Sequence, residues 1–157
     1  MRLMMVIALA LLTTAAQAED GTLNPDEGGI AHLRETLAAR PDRAGFVCWV
    51  VYETQKGGMH DTALTALQDC AESGNAPSMI LLSHAYENGL GTDPNPELAA
   101  HWAKQAAMTG YAVGQYHYGM ALLRGQGVPA DASAARYWLE QAAAGGDESA
   151  AEVLKTM

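Results

Sequence analysis

Two consecutive 36-residue segments of this chain, 75–110 and 111–146, align without a gap and agree at ten positions. The pairs include Ala85/Ala121, Gly89/Gly125, Gly91/Gly127, Ala99/Ala135, Trp102/Trp138, Ala106/Ala142 and Gly110/Gly146. Alanine matches follow from an alanine-rich composition. A matched Gly-x-Gly, a matched Trp and a matched terminal Gly do not. A period of this length constrains the architecture more than any other feature, because each unit is then one supersecondary element that buries its apolar stripe against the next.

Each unit reads as helix, glycine turn, helix. Met79, Leu82 and Tyr86 fall at helical spacing, and Tyr118 and Leu122 repeat the last two positions. Gly89-Leu90-Gly91 and Gly125-Gln126-Gly127 then end the first helix, since glycine adopts the positive φ of a C-cap without penalty. The second helix opens at Asn95-Pro96-Glu97, an N-cap followed by proline at the first helical position and an acid in the first turn. Asp131 takes the capping position one unit later. Ala99, Trp102 and Ala106 form one face, in which small alanines permit close helix approach and the tryptophan fills the space beside them. The predicted fold class is all-α, a short superhelix of helix-turn-helix repeats.

These residues form the pattern A-x-x-x-L-G/S-x-x-Y-x-x-G-x-G-V … D-x-x-x-A-x-x-W-x-x-x-A-A-x-x-G, which resembles the Sel-one-like repeat, a relative of the tetratricopeptide repeat. Two units carry it, over 76–146. The resemblance implies a right-handed α-solenoid whose members act as adaptors and ligand-binding scaffolds, often in bacterial envelopes or in secretion. Ser83 stands where the family prefers Gly, Leu122 replaces the Tyr, and Thr92 replaces the Val that Val128 keeps.

Upstream, 42–74 reads as a degenerate third unit. Ala63, Leu67, Cys70 and Gly74 follow the second-helix pattern, and Phe46, Trp49, Val50 and Tyr52-Glu53 resemble a first helix. Gly57-Gly58 supplies the turn. Segment 147–157, with Ala151 and Leu154, is expected to form a capping helix, and Ile30, Leu33 and Leu37 a short helix that Pro41 ends, giving a helical repeat domain over 30–157. Residues 1–18 have the order of a secretory signal peptide: Arg2, the apolar run Leu3 to Leu12, then Ala16-Gln17-Ala18. The run is too short to span a bilayer. Segment 19–29, rich in Gly and acid, is expected to lack a fixed fold. The expected location is periplasmic or secreted, with no membrane insertion after cleavage.

The whole chain carries a formal charge of −9, and removal of Arg2 with the signal makes it −10. Such a chain lacks the clustered Lys and Arg that nucleic acid or anionic lipid requires, so neither partner is expected. The two cysteines, Cys48 and Cys70, are a candidate disulfide, since export permits oxidation and the count is even. In register with the next unit Cys70 takes the buried Ala106 position. Cys48 lies about two turns from the point opposite, a gap for the irregular turn to close. Two buried thiols are the alternative reading. His32, His60, His84, His101 and His117 raise the question of a metal: Glu97 and His101 are four apart on a helix, and His84 and His117 fall on the expected concave face, but no HExxH is present and His101 should point to a different face from that pair. Groove or surface histidines fit better, and no cofactor is expected.

By the geometry the resemblance implies, first helices line the concave face. That face would present Phe46, Val47 and Val50, then Ile80, Leu81, His84, Glu87 and Asn88, then Tyr116, His117, Met120, Leu123 and Arg124. Taken singly, each of these reads better as packing against the next helix. Taken together they form an apolar and aromatic strip with polar margins, the chemistry of a groove for a peptide or partner helix. The expected function is a non-catalytic scaffold that binds protein or peptide, with His84, Glu87 and Arg124 orienting the partner. The alternative, a hydrolase of β-lactam or cell-wall material, comes from the family's disulfide-rich members. It finds no support in the residues: none of Ser73, Ser78, Ser83, Ser133 or Ser149 has a Lys three positions on.

Overall fold

The computed structural model describes residues 29–39, 44–56 and 60–157. The signal-peptide assignment, the acidic segment up to residue 28, the Pro41 terminator, the Gly57-Gly58 turn and the Phe46 side chain fall outside that description. Eight helices are present among the described residues: α1 (Gly29–Ala39), α2 (Ala44–Lys56), α3 (His60–Glu72), α4 (Ala76–Asn88), α5 (Pro96–Met108), α6 (Ala112–Arg124), α7 (Ala132–Ala144) and α8 (Glu148–Thr156). Helices α2 through α7 have 13 residues each, and at about 1.5 Å per residue each is roughly 20 Å long. Among the described residues there is no strand.

The punctuation of the sequence becomes cap geometry at the expected places. Gly89 and Gly125 are left-handed, with φ of 69° and 68°, and their amides donate to Ala85 O and Ala121 O. Asn95 and Asp131 cap α5 and α7 through their side chains, and each donates its own amide back to the first helix of its pair, to Tyr86 O at 2.7 Å and Leu122 O at 3.0 Å. Asn75 and Asp147 cap α4 and α8 in the same way. Between them, Tyr111 opens α6 with no side-chain cap and instead packs its ring against the core beneath α4.

Packing is sequential. α3 lies on α2 and α4, α5 on α4 and α6, and α7 on α6 and α8, while α1 covers α2 and α3. The first helices of successive units also touch, α2 with α4 and α4 with α6, which brings them onto one face. The largest core cluster runs from Leu37 through Val47, Val51, Leu67, Met79 and Leu82 to Ala106, crossing every boundary between the degenerate unit and the next. Leu67, Leu82 and Leu139 are fully buried, and each such side chain stabilises the fold by roughly 1.5–3 kcal/mol. The cluster explains why the degenerate unit folds at all: its apolar stripe is completed by α4. Trp102 and Trp138 occupy equivalent positions, half-buried at the margin of their core clusters and each edge-to-face with the preceding ring, His101 or Tyr137; Trp138 also meets the ring of Tyr118, where the earlier unit has Leu82. In α8 the buried residue is Ala150 rather than Ala151, with Leu154 packed beside it.

Cys48 and Cys70 are joined by a disulfide, their Cα atoms 5.7 Å apart. The two-turn offset expected from exact register is absent: α2 and α3 bring the two Cα atoms within disulfide reach. The bond ties the least regular pair together.

Gln115 is buried on α6 with Oε1 lacking a hydrogen-bond partner. One repeat earlier the same position is Met79, also buried. Gln115→Met therefore removes an unsatisfied acceptor without changing length, and is expected to raise stability by about 1–2 kcal/mol in chemical denaturation. Unchanged or lowered stability would show that the oxygen is satisfied in solution.

Candidate functional site: a cleft between first helices

A cleft opens where α4 and α6 diverge over the start of α5. Its cavity volume is about 70 Å³. The floor is alanine: Ala99, Ala100 and Ala103 from α5, and Ala121 from α6. Glu87 and Ser83 stand on the α4 side, His117, Met120 and Arg124 on the α6 side, and Pro96 and Gln126 close the end. Helical periodicity produces this arrangement directly, since residues 117, 120, 121 and 124 share one face of α6. The cleft is apolar at its base and carries one carboxylate and one guanidinium at its margin.

His84 sits on α4 beside this cleft, and its ring meets that of His117 edge-to-face with centres 4.6 Å apart. Tyr116 lies edge-on to His117 at 5.3 Å. Burial is the main reason that His117 is pushed down to a pKa of about 4, with the neighbouring His84 adding to the effect and Asp147 opposing it. In the unfolded chain an imidazole titrates near 6.5. Between about pH 6.5 and 4 the unfolded state therefore binds more protons, and stability falls as pH is lowered through that window. The check is a proton NMR titration: the His117 resonance should have its midpoint near 4, whereas a midpoint near that of a free imidazole would contradict the packing.

A second hollow, of about 380 Å³, lies at the opposite edge of the same face, where the starts of α2 and α4 meet Tyr111. Trp49, Leu81, Pro77 and Cys48 line it. Trp49 is 57 % exposed, unusual for so large an apolar ring.

The residues expected on the concave strip divide between groove and core. Glu87, His117, Met120 and Arg124 line the cleft, His84 stands beside it, and Leu81 lines the second hollow. Ile80, at 6 % exposure, and Val47, at 2 %, belong to the core and are unavailable to a partner. Both side chains pack into the core cluster shared with α3 and α4 instead of facing solvent. Val50 packs half-buried against the same core, and Tyr116 and Met120 lean on the cluster formed with α7 and α8. The alanine floor and Trp49 were not among the expected site residues. Alanine carries no chemical signal, and Trp49 read only as part of a degenerate helix. No group of three or more His, Cys, Asp or Glu gathers as a metal site among the described residues. No helix among them is long and apolar enough to cross a membrane.

The Sel1 repeat family model matches residues 76–111 and 112–147, one residue later than the frame drawn from the sequence. The chain contains two Sel1 repeats. A crystal structure of a Sel1 repeat protein from Oxalobacter formigenes is 35 % identical with a TM-score of 0.58, over 60 % of this chain and 28 % of that one. The protective antigen c5321 of uropathogenic Escherichia coli, which displays the same repeat fold, is 31 % identical with a TM-score of 0.59, over 60 % and 20 %. This chain thus spans less than a third of either relative. The Helicobacter pylori cysteine-rich protein B shares the fold at 20 % identity, with a TM-score of 0.61 over 80 % of this chain and 96 % of that one. The fold is that of the Sel1-repeat solenoids.

Proposed function

We propose that this chain is an exported, non-catalytic scaffold that captures a peptide or a partner's helix on the face built by α2, α4 and α6. The observation that carries the reading is the alanine-floored cleft between consecutive Sel1 repeats, with Glu87 and Arg124 at its rim. Small floor residues leave space for a partner's apolar side chain, and two opposite charges at the mouth fix its direction. The partner crosses α4 at Leu81 and His84, so that the hollow beside Trp49 receives a second apolar anchor. Two pockets on one rigid face suit a short amphipathic segment.

The experiment is affinity capture by the protein from extracts of its source cells, followed by titration of the captured partner. Leu81 and Tyr116 are partly packed into the core, so acidic substitutions there would disturb the fold. Glu87 and Arg124 are exposed, so Glu87→Lys with Arg124→Glu leaves folding intact. This pair is expected to weaken the partner roughly tenfold, about 1.4 kcal/mol. Lys104→Glu with Glu140→Lys, on exposed positions of the second helices, is expected to change nothing. Equal capture by the groove variant would remove the cleft from the account.

A further inference from the structure

His84 and His117 come from different repeats, from the first helices α4 and α6, which touch one another. The repeat does not call for them: one period on from His84 stands Met120, and one period back from His117 stands Leu81. Their convergence at 4.6 Å is therefore a feature of this chain's own surface.

We infer that His84 and His117 form a two-imidazole binding site for a divalent transition-metal ion such as Cu²⁺ or Zn²⁺ on the concave face. Two imidazoles bound to one ion, each through a nitrogen about 2.0–2.1 Å from the metal, hold their ring centres about 5 Å apart. The observed separation is 4.6 Å, close to that spacing, so the proposal requires only that each ring turn one nitrogen toward a shared point. Imidazole pairs favour Cu²⁺, Zn²⁺ and Ni²⁺ over the hard cations Mg²⁺ and Ca²⁺. Glu87 lines the same cleft as His117 and adds a carboxylate to that side of the face. The described residues bring no third protein ligand to the pair. The remaining coordination positions are left to water or to a side chain of whatever docks in the cleft. The site requires no partner to exist, so its failure and the failure of the binding reading are separable.

The test is titration of the untagged full chain, purified metal-free, with Cu²⁺ alone, followed by calorimetry and by the electron paramagnetic resonance spectrum of the bound ion. One equivalent is expected, with a spectrum of two nitrogen donors. His84→Gln and His117→Gln should each weaken binding at least about tenfold, the scale on which even outer-shell changes act. His101→Gln, exposed on α5, should leave it unchanged. Far-UV circular dichroism confirms that each variant is folded, and His84→Gln serves alone if His117→Gln unfolds. Binding that survives both groove substitutions, or that is lost with His101 instead, identifies adventitious surface coordination and overturns the proposal.

Discussion

Replacing Gly127 by alanine is expected to destabilise the chain by roughly 2–5 kcal/mol. Two independent costs act there. Gly127 has a φ of 67°, a conformation that costs an L-residue about 1–2 kcal/mol. A Cβ would also lie 1.9 Å from Pro96 O and 2.4 Å from Pro96 C. Those are main-chain atoms at the start of the neighbouring α5, and they cannot swing aside as a side chain can. The turn of one repeat rests directly on the helix start of the previous one, so relief requires the repeats to separate, at a further cost of about 1–3 kcal/mol. Gly146→Ala is the control. Its φ is 93° but nothing lies within 4 Å of the added methyl, so only the backbone cost of about 1–2 kcal/mol remains. Urea denaturation of both variants decides the matter: equal losses would mean that the turn does not rest on α5.

The second large effect is expected at the other end of the array. Cys48→Ala with Cys70→Ala should cost about 3 kcal/mol, because the bond closes a loop with a sequence separation of 22 and restricts the unfolded chain accordingly. The loss should be local. Helices α1 to α3 form the least regular part of the stack, and their amides should gain exchange more than those of α5 to α8 in hydrogen-exchange measurements. Both cysteines are buried, so a reductant acts only through opening of that unit. Dithiothreitol should bring the wild type to the stability of the double variant and leave the variant itself unmoved. A reductant effect on the variant, or none on the wild type, would show that the bond contributes nothing.

These two effects mark how far the sequence reaches. Where a residue has only one physical use, its role was legible. Gly89, Gly91, Gly125 and Gly127 all adopt positive φ, as turns between helices require, and Asn95 and Asp131 cap the helices they precede. The matched tryptophans both lie half-buried at a core margin because a stacked repeat gives equivalent positions similar neighbours. The groove was only half legible. Position along a first helix says which residues lie toward the concave side, but only the packing of neighbouring helices decides that Val47 and Ile80 are core while Ser83 and Glu87 line the cleft. The alanine floor, Ala99 and Ala103 included, looked purely structural, since the space it leaves exists only between two helices. The proximity of Cys48 and Cys70 likewise depended on a pairing that departs from the repeat.

The claim on which the account turns is that the face shared by α2, α4 and α6 receives the partner. A photo-reactive amino acid placed at Met120, in the cleft, and in a separate protein at Tyr137, exposed on the second-helix side, tests it directly in source cells. The account predicts one discrete cross-linked adduct from position 120, lost in the Glu87→Lys, Arg124→Glu background, and none from position 137. An adduct from position 137 with none from position 120 would place binding on the opposite face and contradict the account.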